Sequence, residues 1–278
     1  MKRVAIVGLG WLGMPLGLSL IATGWRVSGS KTTQDGVDAV RMCGIDGYYL
    51  HLTPRLICKE SDLQALFNVD VIVITLPVTC IVSSNHLDKS YLFAIQNLVE
   101  RARDFCISRI IFTSSITVYG EGQEIINEET PILPYSKTGK ILQEVEDWFF
   151  HLKEVSVDIL RLSGLVGPKR HPGYFLSGKI ALKHGSHSVN LVHRDDVIMA
   201  IILLLKCSKG GHLYNLSAPK HPTRRDFYTR ASVQLGLTPP IFQRSSIEDH
   251  GKIIDGSKIC RELGFTYRYP DPDCMPML

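Results

Sequence analysis

Apolar residues in the first part of the chain form short continuous runs, separated by segments that have one apolar face. Continuous runs of roughly four to eight apolar residues are typical of strands covered on both faces. They predict strands at 2–7, 70–76, 109–113 and 157–162, with less apolar candidates at 26–30 and 48–51. Helical periodicity extends to Thr23 and returns at 91–105, 136–150 and 195–205. Strands that alternate with helices in this way indicate a parallel, doubly wound α/β sheet.

The regular alternation ends near Gly167-Pro168, after which glycine and proline interrupt the pattern at short intervals. These residues end helices and strands and mark loops. They include Pro172, Gly173, Gly185, Pro219, Pro222 and the Pro239-Pro240 pair. We therefore predict a main domain at 1–168, rejoined by about 190–216, and a smaller C-terminal lobe at 169–278.

The first predicted strand runs directly into Gly8-Leu9-Gly10-Trp11-Leu12-Gly13, and a helical pattern follows. A strand, a glycine turn and a helix in this order form the pyrophosphate site of Rossmann-type dinucleotide-binding domains. Gly8 permits the tight turn, Gly10 lets the backbone approach the phosphates, and Gly13 lets the helix pack against the strand. The positive end of the helix then faces the anion, with Trp11 and Leu12 among the contacting residues. A tight turn without a ligand is the alternative interpretation.

The end of the second predicted strand distinguishes between the two nicotinamide cofactors. NAD-selective folds place an acidic side chain about twenty residues after the glycines, where it bonds the ribose 2′-hydroxyl. Ser30, Lys31 and Thr32 occupy that place, and their hydroxyls and cation suit a 2′-phosphate, which favours NADP. Asp35 keeps NAD open, and Lys31 could be a solvated surface charge. A third cofactor contact is expected at Thr75-Leu76-Pro77, because ligands lie beyond the carboxyl ends of parallel strands.

Composition limits the classes of partner. The chain has 278 residues, 45% of them hydrophobic, with 31 basic and 27 acidic residues and a net charge of +4. This even balance argues against nucleic acid or a membrane surface, and no apolar stretch approaches the roughly 20 residues of a membrane span. The 7 cysteines form no CxxC pair, so we expect reduced thiols in a cytoplasmic protein. His184, His187 and His193 lack metal-ligand spacing, and no metal site is predicted.

Four segments resemble motifs of one enzyme family. The segment 113–120, which reads TSSITVYG, is similar to the TSS-x-x-VYG motif of extended short-chain dehydrogenase/reductases, the NAD-dependent epimerase/dehydratase group. The segments 160–168, 192–197 and 214–216 are similar to its LR-x-x-x-VYGP, H-x-x-DDV and YN-hydrophobic motifs. The resemblance covers nearly the whole chain, which in its overall sequence is similar to an atypical branch of the family. The glycine motif departs from the family, because GxGxxG replaces the usual GxxGxxG. It implies that Thr113 and Ser114 also contact the cofactor.

The resemblance implies a catalytic site in which a Ser or Thr orients the substrate hydroxyl, a Tyr transfers the proton, and a Lys one helical turn later lowers the Tyr pKa. Ser115 falls on the family serine, although a strand-end hydroxyl can also satisfy local backbone. The Tyr-x-x-x-Lys pair is missing, because Ser136 stands four residues before Lys140. On a helix Tyr135 would be rotated by about 140° from Lys140, so it can serve only outside the regular turn. Lys140 either contacts the nicotinamide ribose or pairs with Glu144.

The resemblance implies an oxidoreductase or epimerase/dehydratase that uses NADP or NAD on a hydroxyl or carbonyl of a small molecule, such as a nucleotide sugar. The C-terminal lobe would bind this substrate, and Lys169, Arg170 and His171 form either a cluster for its anionic group or a solvated loop. A cofactor-binding sensor or scaffold is the alternative. A β-hydroxyacid dehydrogenase is disfavoured, because that family has a long all-helical C-terminal domain. A monomer and a homodimer both remain open.

Overall fold

The computed structural model describes residues 2–53, 55–81, 89–122, 125–243 and 249–277. Its strands are mostly short and buried. They are β1 Arg3–Val7, β2 Arg26–Lys31, β3 Asp46–Tyr49, β4 His51–Leu52, β5 Leu56–Ile57, β6 Val71–Ile74, β7 Arg109–Ser115, β8 Ile125–Ile126, β9 Ser156–Leu162, β10 Gly164–Val166, β11 Leu191–His193, β12 Leu213–Leu216 and β13 Ile253–Ile254.

Helices follow most of the longer strands. They are α1 Gly13–Ala22, α2 Gln34–Met42, α3 Glu60–Leu66, α4 Ser90–Asp104, α5 Lys137–His151, α6 Gly173–Leu176, α7 Arg194–Lys206, α8 Arg224–Gln234 and α9 Lys258–Leu263. Short 3-10 turns lie at Val78–Cys80, Ile116–Val118 and Pro272–Cys274. Within the described residues, no helix combines the length and the apolar character that crossing a membrane would require.

Seven strands form the central sheet, in the order β12-β9-β7-β6-β1-β2-β3. Strand β1 pairs in parallel with both β2 and β6, which confirms the predicted α/β class with a doubly wound parallel sheet. The order reverses between β1 and β6, because the chain moves outward to β3 on one side and returns on the other. Ligands of such sheets bind beyond the carboxyl ends of the strands at this reversal. The fold therefore directs attention to the residues that follow β1 and β6.

Helix α1 packs closely on the sheet through one narrow face. Its buried residues are Gly13, Leu16, Gly17 and Leu20, whose i, i+3, i+4, i+7 spacing forms a single stripe on a helix. A Cβ at Gly17 would lie 2.9 Å from Ile45 Cδ1, so a larger residue there would require the end of the Ile45 side chain to shift. Each buried leucine contributes about 1.5–3 kcal/mol through burial. This packing fixes the start of α1 against the end of β1.

Five helices, α2, α3, α6, α8 and α9, were not predicted, although two of them, α2 and α8, begin with a local signal. Thr33 accepts a hydrogen bond from the Gly36 amide at the start of α2, and Thr223 accepts one from the Asp226 amide at the start of α8. A threonine in this position is a recognised helix N-cap. Helix α2 has only 9 residues, and the apolar residues of α8 form no clear periodic pattern, so periodicity did not reveal either helix.

The chain forms two compact units, each of which draws on separated segments. The first comprises Met1–Val118, Ser136–Leu160 and Ile201–Leu213, and the second comprises Tyr119–Tyr135, Arg161–Ala200 and Tyr214–Leu278. The second unit has an apolar core of its own. That core consists of Val166, Val189, Leu191, Ala218, Phe227, Met275 and Met277. The predicted boundary between a main domain at 1–168 and a C-terminal lobe at 169–278 stays a prediction, because each compact unit is built from several separated segments of the chain.

Candidate functional site

The turn after β1 is held by side chains from both neighbouring strands. Gly8 has a φ of +106°, a conformation that residues with a Cβ rarely adopt. Its amide donates to Ser30 Oγ over 3.1 Å, and its carbonyl accepts from Thr75 Oγ1 over 2.7 Å. A Cβ at Gly8 would also lie 2.9 Å from Leu76 Cδ2. The turn is therefore fixed at the point where the strand order reverses.

The other two glycines of the motif have opposite surroundings. An ideal Cβ at Gly13 would lie 2.2 Å from the carbonyl oxygen of Gly8, which no real side chain could tolerate. An ideal Cβ at Gly10 would have no other described atom within 4 Å. Gly13 is thus required by packing within the fold. Gly10 leaves open space over the backbone, as a bound phosphate requires.

The start of α1 has the properties of an anion site. Leu12 occupies the N-cap and offers the helix no side-chain hydrogen bond, and no acidic residue lies in the first turn. By contrast, Thr33, Ser136 and Thr223 cap the amides of α2, α5 and α8 with their hydroxyls. The first amides of a helix have no intrahelical acceptor, and the helix dipole adds positive potential there. The residues at this end fit a dinucleotide pyrophosphate.

The corner after β2 places its predicted cofactor residues in different environments. Ser30 is buried, and its hydroxyl accepts the hydrogen bond from the glycine turn. Lys31 is partly exposed, and a Cβ on Gly36 would lie 3.3 Å from its Cδ, so the lysine stem lies over the first turn of α2. Thr32 and Asp35 are exposed, the latter in that same first turn. A cation and a carboxylate therefore both belong to this corner.

The end of β6 joins the glycine turn to a buried tyrosine. The carbonyl of Leu76 accepts a hydrogen bond of 2.7 Å from the Tyr91 hydroxyl. Tyr91 is completely buried, and this burial raises the pKa of its phenol, which therefore remains protonated. Thr75 bonds to the turn as described, and Pro77 is exposed at the start of the following 3-10 turn. The hydroxyls of Tyr91 and Thr75 thus donate to backbone carbonyls and support the fold.

Three consecutive hydroxyls at the end of β7 have three different partners. Thr113 Oγ1 donates to the last carbonyl of β6 over 3.1 Å. Ser114 is buried and donates a short hydrogen bond to the carboxylate of Glu146, a fully buried residue of α5. Ser115 is only half-buried, and its Oγ accepts a hydrogen bond of 3.2 Å from the Thr117 amide. Of the three, Ser115 has the hydroxyl best suited to a ligand.

The first turn of α5 shows what replaces the expected tyrosine. Ser136 caps the helix by accepting a hydrogen bond of 3.0 Å from the Gly139 amide. Lys140 is exposed, and its amide donates to the Ser136 carbonyl over 3.0 Å. The Ser136 side chain is therefore a structural cap, and it has no neighbouring base that would make it a proton acceptor.

In the second unit, Tyr135 is 65% exposed and lies outside the helix that Ser136 begins. A hydrogen bond with Glu121, and secondarily burial, raises the pKa of its phenol. Tyr135 therefore carries its proton throughout the neutral pH range. The family resemblance implies a different environment, in which a lysine lowers the pKa of the tyrosine.

The same unit contains a buried polar network that the sequence did not reveal. The Tyr119 hydroxyl donates to Asn215 Oδ1 over 2.9 Å and accepts from Arg161 Nη1 over 2.7 Å. Burial raises the pKa of Tyr119 in spite of the neighbouring guanidinium. The side chain of Glu128 accepts a hydrogen bond of 2.7 Å from the backbone amide of Asn215. The three motif segments that supply Tyr119, Arg161 and Asn215 thus meet in one structural cluster.

The basic loop after β10 presents two of its three predicted residues to solvent. Lys169 and Arg170 are exposed, and the backbone of Lys169 has a φ of +63°. His171 is buried, accepts a hydrogen bond of 3.0 Å from the Gly173 amide, and has a pKa that burial lowers. The histidine is therefore neutral and structural, whereas the two cations can meet an anion.

Comparison with known proteins identifies the family. A family model described as the NAD dependent epimerase/dehydratase family matches residues 5–217, more than half of the chain. The chain belongs to the NAD-dependent epimerase/dehydratase family. Protein YeeZ of Escherichia coli strain K12 is 57% identical over 277 residues and is covered completely, as is this chain. This match confirms the inferred family and its atypical, YeeZ-like branch. The dTDP-D-glucose 4,6-dehydratase of Homo sapiens is 24% identical over 184 residues, covering 58% of this chain and 52% of the relative.

Solved structures confirm the fold of this family member. A UDP-glucose 4-epimerase has a TM-score of 0.77 at 17% identity and covers 99% of this chain and 95% of its own. The UDP-glucuronic acid 4-epimerase of Bacillus cereus, in complex with NAD, also has a TM-score of 0.77, at 16% identity, with 98% and 93% covered. At these identities the similarity establishes the Rossmann-type architecture.

The two glycine environments predict that alanine lowers the stability of the protein at position 13 and hardly changes it at position 10. Gly13→Ala forces an overlap with the Gly8 carbonyl, so we expect the free energy of unfolding to fall by about 1–3 kcal/mol. Gly10→Ala adds a methyl group to open space and should change stability by less than about 0.5 kcal/mol. Urea denaturation of both variants measures the difference. Equal stability of the two would contradict the packing role of Gly13.

The tyrosine environments predict a second contrast. Tyr119→Phe removes a buried hydroxyl from between Arg161 and Asn215, and should lower the free energy of unfolding by about 2 kcal/mol. Tyr135→Phe removes an exposed hydroxyl and should change it by less than about 0.5 kcal/mol. Chemical denaturation at neutral pH compares the variants. A Tyr119→Phe variant as stable as the parent would show that the network is not structural.

Proposed function

We propose that this chain is an NAD(P)-binding oxidoreductase or epimerase/dehydratase that acts on a hydroxyl or carbonyl group of a small substrate. The observation that carries the proposal is the fixed glycine turn before the uncapped end of α1, at the reversal of strand order. A helix end of this kind attracts an anionic ligand. Membership of a family described as NAD-dependent agrees with this interpretation.

In this proposal Gly8 forms the turn, Gly10 lets the backbone approach the pyrophosphate, and Gly13 lets α1 pack against β1. Trp11 and Leu12 are among the residues that contact the pyrophosphate. The segment Thr75-Leu76-Pro77 and Thr113 line the continuation of the site at the ends of β6 and β7. Ser30 and Ser114 contribute through the groups that they hold in place, because their hydroxyls bond to Gly8 and Glu146. When bound, the nicotinamide supplies the hydride acceptor or donor.

We assign the choice of cofactor to the corner after β2 and favour NADP. Lys31 provides a cation beside the exposed Thr32 hydroxyl, and a cation attracts the 2′-phosphate that distinguishes NADP from NAD. Asp35 is the competing group, because an acidic side chain at this corner suits a free ribose hydroxyl. The UDP-glucuronic acid 4-epimerase of Bacillus cereus carries NAD in its structure. In this proposal the preference for NADP depends on the positive charge of Lys31.

For the chemical step we propose that Ser115 orients the reacting oxygen, that Lys140 contacts the nicotinamide ribose, and that Tyr135 exchanges the proton. The hydrogen bond with Glu121 raises the pKa of Tyr135, so its phenol is protonated at neutral pH. A protonated phenol is suited to donate a proton to an oxygen that receives a hydride. This arrangement favours the reduction of a carbonyl over the oxidation of an alcohol.

A nucleotide sugar is the substrate class that we propose. Two solved structures with the same fold are named as a UDP-glucose 4-epimerase and a UDP-glucuronic acid 4-epimerase. In the second unit of this chain, Lys169 and Arg170 expose two cations on one loop. Such groups bind the diphosphate of a nucleotide sugar through charge-assisted hydrogen bonds.

A cofactor-binding sensor without turnover is the second candidate function. The observation that favours it is the role of Ser136, which caps α5 at the position from which a family tyrosine would face Lys140. A helix cap cannot replace a phenol in proton transfer, because the pKa of an alcohol is far too high. The sensor retains nucleotide binding and differs from the enzyme only in the chemical step.

Thermal-shift titration with NADP, NAD and their reduced forms tests the cofactor assignment. A ligand that binds only the folded state stabilises it, by about 2.7 kcal/mol at 100 times its dissociation constant. Gly10→Ala should weaken binding of every form, and Lys31→Ala should weaken NADP about tenfold while leaving NAD unchanged. Lys153→Ala, an exposed lysine elsewhere, is the control. No stabilisation by any nucleotide overturns cofactor binding, and stabilisation by NAD alone overturns the assignment of Lys31.

Turnover with a panel of UDP- and dTDP-linked sugars separates the enzyme from the sensor. We expect Tyr135→Phe and Ser115→Ala each to lower kcat about 100-fold while cofactor affinity is retained. Because the pKa of Tyr135 is raised, the rate of reduction should stay constant across neutral pH and fall only when the phenol ionises. If Tyr135→Phe keeps full activity, Tyr135 is not the proton donor. If the parent protein binds cofactor and turns over no substrate, the sensor function is supported.

A further inference from the structure

Two histidines that lie three residues apart meet an aspartate from a distant segment of the second unit. His184, His187 and Asp249 each offer a ligand atom, and these atoms all lie within 4.8 Å of one another. His187 Nε2 and Asp249 Oδ2 are 2.9 Å apart, and the two imidazole rings are tilted by 46° to each other with their centroids 4.4 Å apart. The sequence could not show this cluster, because 62 residues separate His187 from Asp249.

Backbone and hydroxyl hydrogen bonds hold the two segments in register. The Ser186 hydroxyl donates to the carbonyl of Asp249 over 2.8 Å, and the Ser188 amide donates to the carbonyl of His250 over 2.7 Å. The Gly251 amide donates to the other carboxylate oxygen of Asp249 over 2.9 Å. The aspartate is therefore oriented by its own segment, and the histidines are positioned beside it before any ligand binds.

Two backbone conformations bring the side chains together. His184 has a φ of +59°, in the left-handed region that is uncommon for residues other than glycine. Gly251 has a φ of +61°, and a Cβ there would lie 2.8 Å from His187 Nδ1. Left-handed residues of this kind cost energy and concentrate at ligand clamps and functional sites. The close approach of His187 to Gly251 thus depends on the absence of a side chain.

We propose that His184, His187 and Asp249 bind one divalent transition-metal ion of the Zn²⁺ type. Two neutral imidazoles and one carboxylate are a donor set that suits zinc, cobalt, nickel and copper, and they leave a fourth position for water. On binding, the hydrogen bond between His187 and Asp249 is replaced by two metal bonds, and the imidazole of His187 stays neutral with its one proton on the ring nitrogen that does not bind the metal. Hard cations such as Mg²⁺ and Ca²⁺ prefer all-oxygen ligands and are rejected.

The accessibility and charge of the cluster define the kind of site. His184 is exposed, and the side chains of His187 and Asp249 are each 26% exposed, so an ion can enter from solvent. The guanidinium of Arg225 lies close to Gly185, where a Cβ would be 3.1 Å from its Nη2. A neighbouring cation weakens the binding of a second positive charge. The bound ion would join two segments of the second unit and stabilise its fold.

Titration of the full-length protein with Co²⁺ tests the proposal, followed by displacement with Zn²⁺. The protein must carry no histidine tag, and the visible absorption of Co²⁺ reports its ligands directly. We expect one ion per chain, full displacement by Zn²⁺, and a higher melting temperature with Zn²⁺ but not with Mg²⁺.

Three variants identify the ligands. His184→Asn keeps a residue that tolerates the left-handed conformation, and Asp249→Asn keeps the shape of the carboxylate, so both should fold normally. Each should weaken Co²⁺ binding about 100-fold. His250→Ala removes a neighbouring exposed histidine outside the cluster and should leave the affinity unchanged.

Three results would overturn the assignment. One is the absence of stoichiometric Co²⁺ binding, which would leave His187 and Asp249 as a hydrogen-bonded pair only. Another is unchanged affinity in His184→Asn and Asp249→Asn. The last is an equal loss in His250→Ala, which would indicate diffuse binding to surface histidines. None of these measurements involves a nucleotide, so they are independent of the cofactor proposal.

Discussion

The closeness of α1 to the end of β1 is the constraint on which the rest of the nucleotide edge depends. A Cβ at Gly13 would lie 2.2 Å from the Gly8 carbonyl, so the helix can start there only with glycine. That same carbonyl accepts the Thr75 hydroxyl from β6, and the amide of Gly8 donates to Ser30 on β2. One peptide turn thus links three adjacent strands and one helix. These elements meet at the reversal of strand order, so the same contacts that hold the turn also shape the edge of the sheet where ligands of such folds bind.

The hydroxyl groups at the strand ends differ in whether they hold the fold together or are candidates to bind a ligand. Ser30, Thr75, Thr113 and Ser114 all lie at strand ends where a cofactor was expected, yet each has a hydrogen bond to another part of the same unit. Three residues with hydroxyls end β7, and of these Ser115 is the one whose Oγ bonds to the turn that directly follows, where it accepts from the Thr117 amide. Buried polar groups must be paired, so the buried hydroxyls are committed to the fold. Because the hydrogen bond of Ser115 stays within its own turn, its hydroxyl is the one that we propose for the substrate.

The sequence was sufficient for the fold class, because apolar runs and helical periodicity are local properties and the strands of β1, β6, β7 and β9 lie close to their predicted places. It was also sufficient for the glycine turn. What it could not supply were partners distant in the chain: Glu146 for Ser114, Arg161 and Asn215 for Tyr119, and Asp249 for His187. Helices α2 and α8 were missed for a different reason. Their caps at Thr33 and Thr223 are recognisable in the sequence, but α2 has only 9 residues and the apolar residues of α8 show no clear helical periodicity.

The serine that stands at the expected tyrosine position has a structural role at the start of α5. Position 136 is the N-cap of α5, and a cap requires a short side chain whose oxygen can reach an amide of the first turn. A tyrosine cannot make that contact, because its hydroxyl stands too far from its own backbone. Moving the phenol to Tyr135 keeps the cap and releases the tyrosine from helical geometry, at the loss of its turn-related lysine. Its neighbour is then the carboxylate of Glu121, which raises its pKa instead of lowering it. A single-residue shift thus changes the phenol from a candidate base into a candidate acid.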